Sequence, residues 1–202
     1  MMLLTLNQTK EKNMRKTNIK KLDKMFINRW SPRVFKKDPI PQEDIDTMFE
    51  AARWAASSYN EQPWIFTYAV KENDLEKYTD VMGDFNQTWA STAPMLVLGF
   101  ARKNFERNDT PNDWAEFDLG SAFMSLTLQA EKLGYRCHAM AGFDPDKALK
   151  AAGLDEKDVK PMVVIAIGKH GDIETMSKDL QEIEIQSDRK PLDQIVFEGK
   201  IS

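Results

Sequence analysis

Residues that usually carry chemistry are scarce in this chain. It has one cysteine, Cys137, so no disulfide can form within it, and a reducing compartment is the expected setting. Histidine occurs twice, at positions 138 and 170, which leaves zinc without a ligand set. His138 follows Cys137 directly, but neighbours on a strand point to opposite faces, so the two do not form a thiol–imidazole pair. The nine glycines contain no Gly-x-Gly pair, which excludes a dinucleotide fingerprint and a P-loop. No serine stands in a Gly-x-Ser-x-Gly turn. Cationic excess is lacking too: 28 Lys and Arg face 32 Asp and Glu, for a net charge of -4. A nucleic-acid backbone would find no basic excess here to neutralise it. No apolar run approaches the roughly 18 residues of a spanning helix, and Met1 to Leu6 turns polar too soon for a signal peptide. These absences describe a soluble cytoplasmic protein with neither nucleic acid nor membrane as partner.

What is present is a well-marked alternation of helices and strands. The 202 residues, 42% of them hydrophobic, suit one domain over 18–202 after a flexible basic arm at 1–17. Ile19, Leu22, Met25 and Phe26 make one helical stripe, which must end before Pro32. Pro41 opens a second helix, with Glu43 and Asp44 in its first turn and Ile45, Met48, Phe49, Ala52 and Ala55 on one face. Strands are expected at Trp64–Val70, Met95–Ala101, Tyr135–Ala141 and Met162–Gly168. Between them, Asn73 caps a helix reaching Met82, 84–92 is helical, and a long helix runs from about Asp113 to Leu133 and stops at Gly134. A short helix follows Pro145 and ends near Gly153. Trp54 and Trp64 read as core. Alternation of this kind, taken alone, suggests a doubly wound parallel sheet. Residues from about 169 to 202 thin out in apolar content and form a tail that must lie on another surface.

Two clusters suited to an anion stand at opposite ends of the chain: Arg29-Trp30-Ser31-Pro32-Arg33 and Arg189-Lys190-Pro191-Leu192. A guanidinium offers a fixed fork of donors and a permanent charge, which suits phosphate. Between them lies a polar loop, Ser57-Ser58-Tyr59-Asn60-Glu61-Gln62-Pro63-Trp64. No acid, base or nucleophile stands out, so catalysis here would need a cofactor that carries the reaction itself.

The order of these motifs resembles the FMN-dependent nitroreductase family. The residues that carry it are Arg29-x-Ser31-x-Arg33-x-Phe35, Pro39-Ile40-Pro41, Glu50-Ala51-Ala52-Arg53-Trp54-Ala55, the 57–64 loop, Ala141-Gly142-Phe143-Asp144-Pro145 and Arg189-Lys190-Pro191-Leu192. The resemblance implies an α+β fold, a mostly antiparallel central sheet flanked by helices, in place of the parallel sheet. It implies a homodimer binding FMN at the subunit interface, with the C-terminal tail on the partner and Ile195-Val196-Phe197 as a strand added to the partner's sheet. It places Arg29, Arg189 and Lys190 at the FMN phosphate, with Trp30 and Ser31 alongside, and Arg33 at the flavin edge. Asn86 falls on the polar edge, and Ala141 and Gly142 offer backbone N–H groups. Ser57, Ser58 and Asn60 would come from the other subunit. NADH or NADPH would be the reductant, and a nitroaromatic, quinone or similar small molecule the acceptor, in ping-pong turnover. A flavin-binding sensor or carrier is the alternative.

Overall fold

The apolar runs become strands, the two central ones buried on both sides. In the computed structural model, which describes residue 15 and residues 17–201, they form one four-stranded sheet. The strands are β1 (Trp64–Ala69), β2 (Met95–Arg102), β3 (Arg136–Met140) and β4 (Val159–Gly168), in the order β1-β2-β4-β3. Every pairing is antiparallel. The parallel arrangement suggested by alternation alone is therefore replaced by the antiparallel one that the resemblance implied. The arms of β2 and β4 slip by one residue between Gly99 and Phe100: Gly99 faces Val163 and Phe100 faces Pro161, leaving Met162 unpaired. A bulge is where a ladder tolerates proline.

Side-chain alternation splits the core into two layers. Leu96, Leu98 and Phe100 of β2 join Val164 and Ala166 of β4 on one face. They pack against α3 (Glu72–Val81), α4 (Asp84–Ala90) and α6 (Pro145–Ala152), through Tyr78, Val81, Trp89, Ala148 and Leu149. Met95, Val97, Ile165 and Ile167 point the other way, onto α2 (Gln42–Arg53) and α5 (Ala115–Lys132), through Ile45, Met48, Ala122 and Leu126. With both faces covered, β2 and β4 need apolar residues at successive positions, which explains their unbroken runs.

Helix boundaries follow local chemistry with three corrections. Lys71, not Asn73, occupies the N-cap position of helix α3; Asn73 lies inside the first turn, and no side chain caps the helix. The stripe from Ile19 to Phe26 shortens to a five-residue helix, α1 (Lys24–Asn28), begun by the Asp23 carboxylate accepting from Met25 N–H. Ile19, Leu22 and Phe26 stay exposed. Trp54 is not core: α2 ends just before it, its indole N–H donates to Glu50, and it is 75% exposed. Trp64 is half-buried against the second layer. Helix α6 begins as expected, with Asp144 accepting from two N–H groups and Pro145 at its start, and ends at Gly153 with φ +68°. Most of the 1–17 arm lies outside the described residues.

Past β4 the chain crosses a 3-10 turn (Ile173–Thr175), α7 (Lys178–Ile183) and a second such turn (Leu192–Gln194). Ile195-Val196-Phe197 forms no strand within the protomer, and all three are exposed.

Cys137 faces the second layer, away from His138, and burial pushes its thiol up to about 12. In the unfolded chain a thiol titrates near 8.5, as free cysteine does. The buried thiol's contribution to stability is thus complete below that pH and is lost as pH rises through 12. Two results are expected. A thiol reagent at pH 8 should label this single cysteine only at the rate of unfolding. Denaturant midpoints should fall from about pH 9 upward, by less in Cys137→Ala. Fast labelling of the folded protein would contradict the burial.

Candidate functional site

Segments far apart in sequence meet around Arg29, near Glu131 and Cys137. Arg29 directly follows α1, in extended backbone, and Arg189 comes from the tail. Arg29 lies half-buried; burial and then the nearby charge of Arg189 push its guanidinium below the ordinary value. A third cation, Arg15, joins them: Nη1 donates to Arg29 O (2.6 Å) and Nε to Ser187 O (2.8 Å). Arg189 Nη1 donates to that same Ser187 oxygen at 3.2 Å. Lys190 is exposed next to it. Like charges drawn together in partly desolvated surroundings are what a dianion would relieve.

The segment after Arg29 is anchored from three sides. Trp30 is buried, with its ring edge-on to His170 at 5.4 Å. Pro32 O accepts from His138 Nδ1 at 2.9 Å, so that nitrogen carries the proton, and burial lowers the imidazole's affinity for a second one. His138 in turn packs on Trp89 of α4, with ring centroids 4.4 Å apart. Ser31 sits half-buried between these contacts. Arg33 turns to the tail. Its N–H donates to Glu184 Oε1 at 2.7 Å, its Nη1 to Ile183 O at 3.2 Å, and Nη1 lies 3.7 Å from Glu184 Oε2. The Glu184 side chain is only 1% exposed, so the tail is fastened here by a buried carboxylate. Arg33 Nε is buried and has no hydrogen-bond partner among the described residues.

A second group forms where β3 ends. Ala141 and Gly142 are exposed, and Gly142 O accepts from Asn86 Nδ2 and from Gly83 N–H, each at 3.0 Å. A Cβ on Gly142 would lie 3.2 Å from Asn86 Nδ2, so the close approach favours glycine. Helix α4 connects this group to the first: it carries both Asn86 and Trp89. A cleft of about 820 Å³ runs between α4, the 33–37 segment and the tail, walled by Phe85, Trp89, Met176, Leu180 and Ile183 with Arg33 and Lys37 at its polar side.

Ser57, Ser58 and Asn60 are not brought to either group. Their loop is held elsewhere: Ser57 Oγ accepts from Gln62 N–H, Ser58 N–H donates to Asp118 of α5, and Glu61 accepts from Glu106 N–H. Tyr59, Asn60 and Gln62 all have positive φ (54°, 58°, 52°), a conformation that costs energy in residues other than glycine and persists only when surroundings enforce it. Exposed aromatics lie in the loop (Tyr59), before it in sequence (Trp54) and at the start of α5, near Asp118 (Trp114 and Phe117).

Sequence reasoning overlooked Arg15, Asp118 and Glu184. Asp118 had a visible signal, a carboxylate on the same helical stripe as buried Ala115 and Ala122. Glu184 had none, because its partner Arg33 lies on the far side of the domain sequence. Among the described residues no group of three or more His, Cys, Asp or Glu is placed to hold a metal, and no helix is long and apolar enough to cross a membrane.

Comparison with known proteins places the fold. The nitroreductase family model matches residues 27–84 and 71–169. A crystal structure described as an oxidoreductase containing FMN superposes with a TM-score of 0.88 at 34% identity, over 94% of this chain and 97% of that one. Bacillus subtilis YdgI, provisionally described as an NAD(P)H nitroreductase, is 26% identical over 76% of this chain and 91% of its own length. The CLA biosynthesis enone reductase of Lactiplantibacillus plantarum is 27% identical over 73% of this chain and 84% of its own length. With the matched span running from the helix before Arg29 to the end of β4, the chain belongs to the nitroreductase family.

Proposed function

We propose that this flavin-dependent oxidoreductase is an FMN-dependent NAD(P)H oxidoreductase, acting as a homodimer on electron-poor acceptors such as nitroaromatics and quinones. The observation that carries the reading is the meeting of Arg29 and Arg189 from opposite ends of the chain, without a carboxylate bonded to either guanidinium among the described residues. The residues fit the cofactor. Arg29, Arg189 and Lys190 would hold its phosphate, and Arg33, with a buried Nε still unpartnered, its polar edge. Trp30 and Ser31 connect these two contacts. Asn86 with the exposed backbone of Ala141 and Gly142 would meet the opposite edge.

FMN, when bound, supplies the redox chemistry, taking a hydride from reduced nicotinamide and giving two electrons to the acceptor. The chain binds, orients and sets the field. Arg33 would place positive charge at the edge of a reduced, negatively charged ring, and Glu184 holds the Arg33 segment in position. His138 is committed to Pro32 and buried against Trp89, so it offers no general acid. Dimerisation is supported by exposed apolar surface: Trp54, Tyr59, Trp114 and Phe117 beside the strained loop, and Leu192, Ile195, Val196 and Phe197 on the tail. Burying the first patch would bring Ser57, Ser58 and Asn60 against a second copy.

The test is anaerobic addition of NADH or NADPH to the FMN-loaded protein, followed by a nitroaromatic. Loss of the yellow absorbance and its return on adding acceptor are expected. A flavin that stays oxidised with both nucleotides would instead favour a sensor or carrier.

A further inference from the structure

Arg15 lies outside the span that the family model matches, on the segment before α1. It is nevertheless half-buried, with three of its N–H groups engaged. Its Nε donates to Ser187 O at 2.8 Å, and its Nη1 to Arg29 O at 2.6 Å and Ile27 O at 3.3 Å. Ile27 and Arg29 supply carbonyls at the exit of α1, where a helix leaves acceptors open and favours a cation. Ser187 O accepts from Arg189 as well. One guanidinium thus ties together the backbone on both sides of the phosphate cradle: the turn that presents Arg29 and the tail that presents Arg189.

We propose that Arg15 is a positioning residue for the cofactor's phosphate, a strap that holds Arg29 and Arg189 at the spacing a phosphate monoester requires. The proposal rests on the reading of Arg29 and Arg189 as phosphate contacts. Three of the five N–H groups of Arg15 are spent on backbone carbonyls, so its work is done through the other two arginines. The arrangement carries a cost that a bound phosphate would offset further than the nearby Asp188 and Glu131 already do. Arg15 and Arg29 are both shifted below their ordinary values, first by burial and next by the charge of Arg189. A strap used merely to fasten the chain ends would be cheaper with an uncharged donor. Lysine would replace it poorly, because a point charge cannot span carbonyls on two segments as a planar fork does.

The test separates phosphate recognition from fold by titrating flavin-stripped protein with FMN and with riboflavin, which lacks the phosphate. For Arg15→Ala the dissociation constant for FMN should rise about tenfold, the size of one weakened charge-assisted contact. That for riboflavin should stay within about twofold, and Arg15→Lys should fall between. An FMN-to-riboflavin ratio equal to that of the unsubstituted protein overturns the proposal. So does an equal loss for both flavins, which marks a structural strap only. If Arg15→Ala does not fold, the same ratio in Arg15→Lys decides. Arg29→Ala is the control. If it loses the preference while Arg15→Ala keeps it, only the strap fails; if it also keeps the preference, the phosphate reading of the cradle fails with it.

Discussion

Arg29→Ala is expected to weaken FMN binding about a hundredfold, equivalent to roughly 2.7 kcal/mol, while leaving the folded protein about as stable without flavin. The two halves of this result have one cause. Arg29 is half-buried beside Arg189 and Arg15, and its charge is disfavoured there, first by desolvation and then by Arg189. Removing it from the flavin-free protein removes repulsion along with packing, so little net stability is lost. With a phosphate present the sign reverses: each guanidinium gains a dianion, and hydrogen bonds to charged groups are the strong ones. The checks are a flavin titration and a thermal melt with and without FMN. In the unsubstituted protein, FMN at a thousand times its dissociation constant stabilises by about 4 kcal/mol through mass action. In the variant, the same concentration should recover much less. A variant that keeps both its affinity and its FMN-induced shift in Tm would remove Arg29 from the site. A variant that is itself strongly destabilised would mean that the guanidinium is structural.

How far the fold was legible follows from where its determinants lie. Strands β2 and β4 could be read because burial on both faces leaves an unbroken apolar run, and α6 because Asp144-Pro145 and Gly153 mark its two ends locally. The antiparallel order could not be read from periodicity, since a helix between two strands is compatible with a return in either direction. Only the resemblance decided it. Trp54 misled because Ala51, Ala52 and Ala55 surround it with small residues that suggest close packing. In the fold, α2 ends at Arg53, and the indole is held on the outside by Glu50. The motif positions of the site were legible one by one, and Arg29 with Arg189, and Asn86 with Gly142, do meet. Their supports were not, because each is a pairing between distant segments: Glu184 on Arg33, Asp118 under Ser58, Arg15 across Arg29 and Ser187. A carboxylate with no local partner carries no sign of where its partner will come from.

Trp89→Ala should be the most damaging single change, costing about 3–5 kcal/mol of folding stability. Trp89 is almost fully buried in the first core layer, stacked on Phe35 at 6.5 Å and tilted on His138 at 4.4 Å. Its indole N–H has no hydrogen-bond partner among the described residues. The loss is therefore one of packing, and a flat ring of smaller size should restore most of it. Trp89→Phe is expected to cost under about 1.5 kcal/mol. The contrast between the two variants in denaturant melts isolates the cavity from the polar group; equal losses would point to an unseen hydrogen bond. The damage should also reach the site. His138 braces Pro32 through Nδ1, and Pro32 sits between Trp30 and Arg33. Without the indole behind it the imidazole is free to rotate, and the Arg29–Arg33 segment loses its fixed point on β3. Where enough folded Trp89→Ala remains, FMN should bind more weakly than to Trp89→Phe, although neither side chain is assigned a contact with the cofactor. Equal affinities would show that the segment is held without His138, by contacts such as those of Trp30, Glu184 and Arg15.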